Sequence, residues 1–205
     1  CTKKVSKRFK IGNEIVTISG VAKGSGMIMP NMATMLSFVA TNIKISKKEL
    51  DKILKKITDK SYNMITVDSD TSTNDSSILI SSCKTKTSYE KLSAPDKKKF
   101  YSHMESVYIG LAKKIIRDAE GATKFISINI KKIKNKKYGK NIGMNIANSP
   151  LVKTALFAED PNWGRILSAI GNSEIQTKDI NKLEIYLGTV SYTHLTCRRS
   201  YLCRS

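Results

Sequence analysis

The chain has 205 residues, of which 40% are hydrophobic, and a formal net charge of +19. That length fits one domain or two small ones with a buried core. It contains no apolar run near the roughly 20 residues of a membrane span and no signal-peptide pattern at its start. The charge raises the question of a polyanion partner such as RNA or DNA. The cations are 30 Lys against 6 Arg, and the densest run, 131–140, holds six Lys and a single aromatic, Tyr138. Nucleic-acid readers rely on Arg forks and stacked aromatics, so this run reads as a solvated loop. The four cysteines include no C-x-x-C pair and only two His accompany them. No zinc site or other metal is expected, and free thiols fit a reducing cytoplasm.

The chain opens on Cys1 and enters strand-like sequence almost at once. Residues 14–19 alternate β-branched and polar positions and predict a strand, with Gly20, Gly24 and Gly26 breaking it. Residues 34–41 are again strand-like, which puts Thr34 at a strand start. Ser46 and Glu49 form a capping box for a helix over 46–60, whose buried stripe is Leu50, Ile53, Leu54 and Ile57. Strands are predicted at 64–68 and 78–82 around a polar turn from Asp68 to Asp75. Such Ser/Thr/Asn/Asp turns bond locally; paired acids can also hold a metal or share a proton. A long helix follows over 95–120, started by Pro95, striped by Met104, Val107, Leu111 and Ile115, and ended at Gly121.

Alternation predicts a strand at 125–133, a short helix at 139–148 and a strand at 152–157. Asp160 is expected to cap a helix that has Pro161 in its first position and ends at Gly171, and a last strand covers 183–187. Residues 190–205 show no period and read as a non-native tail. Strands and helices interleave, so the fold class is mixed α/β.

The chemistry centres on Ala33-Thr34, behind the glycine-rich stretch Ala22-Lys23-Gly24-Ser25-Gly26. A threonine after a small residue can be freed as a new N-terminus by attacking the preceding carbonyl through its hydroxyl. It then holds a nucleophile and an amine base on one residue. An α-amino group titrates near about 7.7–8.0, so part of it is free base at neutral pH. The plain alternative is a strand-start threonine whose hydroxyl caps the local backbone. Lys23 fails the spacing of a phosphate loop and is otherwise a turn lysine. Glu120 sits at a predicted helix C-terminus, where the macrodipole disfavours negative charge by about 0.3–1 kcal/mol; a ligand ammonium, or neighbouring Arg117 or Lys124, would offset that.

Four blocks occur in order: residues 22–36, then Ile65-Thr66-Val67-Asp68-Ser69-Asp70-Thr71-Ser72-Thr73-Asn74-Asp75, then Glu120-Gly121-Ala122-Thr123-Lys124, then 149–155 running into Glu159-Asp160-Pro161-Asn162-Trp163-Gly164-Arg165. Together they resemble the ornithine acetyltransferase family, the bifunctional glutamate N-acetyltransferases of arginine biosynthesis, over roughly residues 15–188. The resemblance implies an α+β sandwich of the self-processing N-terminal-threonine acyltransferase type. It implies autocatalytic cleavage at Ala33-Thr34, with Thr34 as nucleophile, and substrate contacts from Lys23, Thr34 and Glu120.

The implied reaction moves the acetyl group of N2-acetylornithine to glutamate through an acetyl-threonine intermediate. No cofactor is implied; acetyl-CoA is a further donor in bifunctional members. The implied organisation is the end of an upstream chain at 1–33, a truncated downstream chain at 34–189, and two copies of each chain in a cytoplasmic heterotetramer. The oxyanion donors, a Thr-Gly pair, would belong to upstream sequence, so this piece alone is expected to be inactive. Ser69 and Ala119 stand where the family has Gly, which bears on the backbone angles there. A self-processing aminopeptidase or amidase is the competing enzyme class, and a basic nucleic-acid-binding module the competing non-enzyme.

Overall fold

The computed structural model describes residues 2–26, 28, 35–70, 75–133, 135–173, 183–188 and 190–192. Two compact units divide at Ser127 and Ile128.

In the first unit, β1 (Lys3–Ile11), β2 (Glu14–Lys23), β3 (Leu36–Thr41), α1 (Lys47–Thr58), β4 (Ser76–Ser81) and α2 (Ala94–Arg117) follow in chain order. The four strands form one sheet in the order β1-β2-β3-β4, with the first two pairings antiparallel and β3-β4 parallel. Period-2 alternation sends Val16, Ile18, Val39 and Ser37 to a face covered by helices. The cover is mainly α2, whose Phe100, Met104, Val107, Tyr108, Leu111 and Ile115 are all fully buried. Each such side chain stabilises the unit by about 1.5–3 kcal/mol relative to exposure. The predicted stripe of α2 is therefore the stripe observed.

Three local readings of this unit change. Gly20 does not break β2, which runs on to Lys23. A Cβ at position 20 would lie 2.8 Å from Val39 Cγ2 and 2.9 Å from Leu111 Cδ1, so glycine is there to let α2 approach the sheet. Residues 64–68 are not a strand: Tyr62–Met64 is a 3-10 turn, and the following backbone grips a neighbouring loop. Helix α2 ends at Arg117, short of Glu120; Asp118 leaves the helix and pairs with Lys3, and the positive φ of the turn, +68°, falls on Gly121. Helix α1 matches its prediction. Ser46 caps it by accepting from Glu49 N, but the Ser46 N–H donates to Glu90 Oε1 (2.8 Å) rather than to Glu49.

The second unit contains α3 (Lys136–Asn148), α4 (Pro150–Phe157), α5 (Trp163–Gly171), β5 (Ile185–Leu187) and β6 (Val190–Tyr192). Ile142, Ile146, Val152 and Ala169 form its core. The predicted strand at 125–133 has no ladder. Lys132 takes φ +56°, which interrupts an extended run, and Ile128, Ile130 and Ile133 pack against the helical core instead. The predicted strand at 152–157 is helix α4. Ser149 accepts from Val152 N and Pro150 takes the first position, an N-terminal signal that outweighs β-branched composition. Asn162, not Asp160, caps α5. Residues 190–192, read as part of an aperiodic tail, pair antiparallel with β5. The Arg165 guanidinium donates to Leu151 O and Thr154 Oγ1, both at 2.9 Å, which ties α5 to α4 and fits a structural role for the 159–165 block.

Among the described residues no helix is long and apolar enough to cross a membrane, and no group of three or more metal-ligating side chains occurs.

Gly20→Ala is expected to destabilise the protein by about 1–3 kcal/mol through overpacking between Val39 and Leu111. A urea titration of the two proteins checks this, and an unchanged midpoint would show that α2 does not need the close approach.

Candidate active site

The site is assembled at one end of the first unit's sheet. Lys23 is the last residue of β2 and is exposed. It stands opposite Leu36, which stands opposite Ser76, so the three residues form a row across the face of the sheet that α2 leaves uncovered. The next row on that face is Val21, Phe38 and Ile78. The ammonium of Lys23 thus stands at the margin of an apolar surface.

Glu120 reaches the same end from the other side. After α2 ends, the Glu120 N–H donates to Ser25 O (2.8 Å), two residues beyond Lys23. A methyl group placed on Gly26 would lie 3.5 Å from Glu120 Oε2 and 3.7 Å from Asp68 Oδ2, so both carboxylates border one point. Glu120 and Asp68 are both exposed. Arg117 is engaged elsewhere, with its guanidinium over the Phe125 ring at 5.0 Å. Two carboxylates bordering one exposed point suit a ligand's ammonium group, since an opposite charge at short range stabilises each.

Ala33 and Thr34 lie outside the described residues. The residues on either side of that stretch are held firmly. Ile28 N donates to Asp68 Oδ1 (3.0 Å) and Ile28 O accepts from Val67 N (2.7 Å). Met35 N donates to Asp75 Oδ1 (2.5 Å) and Met35 O accepts from Ser76 N (3.0 Å). Both Ile28 and Met35 are buried. Burial raises the Asp75 carboxyl above its usual pKa, and the Met35 N–H pulls it back down.

The structure therefore brings Lys23, Glu120 and the two anchors of the 28–35 stretch to one end of the sheet. Asp68 and Asp75 were legible in the sequence only as members of a polar turn. Their partners lie forty residues upstream, and no local pattern shows such pairings. Ser69, within that turn, has φ +72°, the left-handed angle that the Gly-to-Ser difference raised. Ala119 keeps a negative φ, and Gly121 supplies the turn instead.

A four-stranded sheet covered on one face by helices, with Lys23 at the end of β2 and the Glu120 and Asp68 carboxylates bordering Gly26, defines a mixed α/β protein with charged groups gathered at one sheet end. Comparison with known proteins makes the assignment specific. The ArgJ family model matches residues 1–201, and the chain belongs to that family. It is 45% identical over 188 residues to the arginine biosynthesis bifunctional protein ArgJ of Methylococcus capsulatus, covering 92% of this chain and 46% of that protein. The ArgJ of Pseudomonas fluorescens is 40% identical over 191 residues, with 92% and 47% covered. The chain thus spans about half the length of these curated relatives. The crystal structure of ArgJ from Bacillus halodurans superposes with a TM-score of 0.70 at 38% identity, covering 77% of this chain and 74% of that one.

Ser69→Gly relieves a left-handed angle that costs a non-glycine residue about 1–2 kcal/mol, less the extra chain entropy of glycine. A rise in stability of up to about 1 kcal/mol in chemical denaturation is the expected result.

Proposed function

We propose that the full-length protein is a glutamate N-acetyltransferase of arginine biosynthesis, a self-processing acyltransferase that cuts itself between Ala33 and Thr34. In the precursor, Thr34 Oγ attacks the Ala33 carbonyl, the Ala33–Thr34 C–N bond breaks to free the Thr34 α-amine and leave Ala33 as an ester on Oγ, and water hydrolyses that ester to the Ala33 carboxylate and the free Thr34 hydroxyl. That amine takes the hydroxyl proton as Oγ attacks the acetyl carbonyl of N2-acetylornithine, and hands it to the departing ornithine nitrogen. The acetyl group now sits on Thr34. The amine of glutamate attacks it, Oγ leaves with a proton, and N-acetylglutamate forms. Acetyl-CoA serves as an alternative donor at the same nucleophile. Oxyanion donors come from the upstream part of the protein, the two cut chains pair into a heterotetramer, and the enzyme works in the cytoplasm.

The observation that carries this reading is the charge arrangement at the end of β2. Lys23 offers an ammonium to a substrate carboxylate, while Glu120 and Asp68 border Gly26 and suit the side-chain ammonium that acetylornithine retains. Met35, the chain neighbour of Thr34, is anchored at that same end.

Intact mass of the full-length product tests the reading. Two chains meeting at Ala33-Thr34 are expected, and Thr34→Ala is expected to give one unbroken chain with no acetyl transfer. An unbroken wild-type chain, or one that hydrolyses peptides and transfers no acetyl group, would overturn it. Glu120→Gln is expected to raise the KM for acetylornithine about 10–100-fold, the loss of one charge-assisted contact. A KM unchanged in steady-state kinetics would remove Glu120 from substrate binding.

A further inference from the structure

The ends of the 28–35 stretch are held by one repeated device. At each end a buried residue has its carbonyl bonded to a backbone N–H and its own N–H bonded to an aspartate. Val67 and Asp68 hold Ile28; Ser76 and Asp75 hold Met35. Both aspartates belong to the same polar loop and both reach back across forty residues. The β3-β4 ladder starts at Leu36 and Ser76, so a side chain, not a strand, takes the Met35 N–H. That N–H belongs to the peptide bond joining residue 34 to residue 35.

We infer that Asp75 is a positioning residue for the chemistry of Thr34, fixing the Thr34–Met35 peptide by accepting its N–H, with Asp68 as the matching clamp at Ile28. The inference rests on the proposed function, because it needs Thr34 to be the reacting residue. A nucleophile attached directly to a fixed peptide plane can turn only about the torsions of its own residue. Restraint of that kind matters, since a misplacement of about 1 Å costs on the order of 100-fold in rate. The carboxylate does not touch substrate in this scheme. It acts through the backbone, and an uncharged oxygen in the same place should serve nearly as well.

Three variants of the full-length protein test this. Asp75→Asn keeps an acceptor oxygen, Asp75→Ala removes it, and Asp75→Glu keeps the charge but shifts the oxygen by one methylene. Each is followed by the rate of self-cleavage, by kcat and KM for acetyl transfer after cleavage, and by hydrogen exchange at the Met35 amide.

Asp75→Ala is expected to slow cleavage and lower kcat by about 100-fold with KM for acetylornithine unchanged, and to expose the Met35 amide while Val39 stays protected. Asp75→Asn is expected to stay within about tenfold of wild type on both rates. Where Asp75→Ala does not fold, Asp75→Glu decides, and it is expected to be slow. Wild-type rates in Asp75→Ala or Asp75→Glu would overturn the positioning role, as would Asp75→Asn failing as badly as Asp75→Ala. The exchange readout separates the two claims. A wild-type chain that protects Met35 yet is never cut removes the proposed reaction, and this role with it, while the hydrogen bond stands. A wild-type chain that is cut while Met35 exchanges freely removes the clamp alone.

Discussion

Burial of α2 against one face of the four-stranded sheet is the constraint from which the rest follows. The contact depends on Gly20, where Leu111 comes so close that any Cβ would intrude. It fixes the helix along β1 and β2, and so fixes where the helix ends. Beyond that end, Asp118 bonds to Lys3 of β1 and the Glu120 backbone bonds to Ser25 just past β2. Lys3 lowers the Asp118 pKa, so this carboxylate stays charged and keeps its partner. The position of the Glu120 carboxylate is thus a consequence of core packing some distance away, transmitted by two polar contacts.

With one sheet face covered, the other is left with Val21, Leu36, Phe38, Ile78 and Ile80 exposed in adjacent rows. Lys23 and Ser76 flank Leu36 in the row at the end of the sheet to which Glu120 also comes. A break between residues 33 and 34, as proposed, would not release the two halves of this sheet. Strands β1 and β2 come before the break and β3 and β4 after it, yet β2 and β3 pair over six residues on each side. Cleavage would free a chain end while the ladder keeps Lys23 and Leu36 opposite one another. An acyltransferase built on a liberated threonine needs that arrangement, since the new terminus must stay beside the residues that bind its substrate.

What was legible in the sequence was what repeats locally. The stripes of α1 and α2, the strands β2, β3 and β4, and the glycine ending at 171 follow from period and capping within a few residues. The three misread strands share one cause. The segments 64–68, 125–133 and 152–157 have β-like composition, but a strand exists only if a partner is available, and at 152–157 Ser149 and Pro150 had already specified a helix. The resemblance pointed to Lys23 and Glu120, which the structure places at one end of the sheet, and composition pointed to the crowded turn from Asp68 to Asp75. The pairing of that turn with Ile28 and Met35 was not legible, because nothing within a window of the sequence encodes a contact forty residues away. The strain at Ser69 shows the opposite case, in which one substitution read against a family pattern located a left-handed angle.

Charge distribution unites the two scales. The chain is strongly basic, yet acids fall close together in sequence at two places, Asp68, Asp70 and Asp75 in one loop and Asp118 and Glu120 in the turn after α2, and one from each, Asp68 and Glu120, borders Gly26. A positive field extends over about a Debye length of roughly 8–10 Å and draws in anions of any kind. Discrimination has to come at shorter range. A ligand that carries a carboxylate and a cation would meet the positive field with one end and the Glu120–Asp68 pair with the other. A simple anion would meet only the first and would add like charge beside the two carboxylates. Two carboxylates set in a basic chain therefore make the second charge of a ligand, rather than its first, the one that decides how well it fits there.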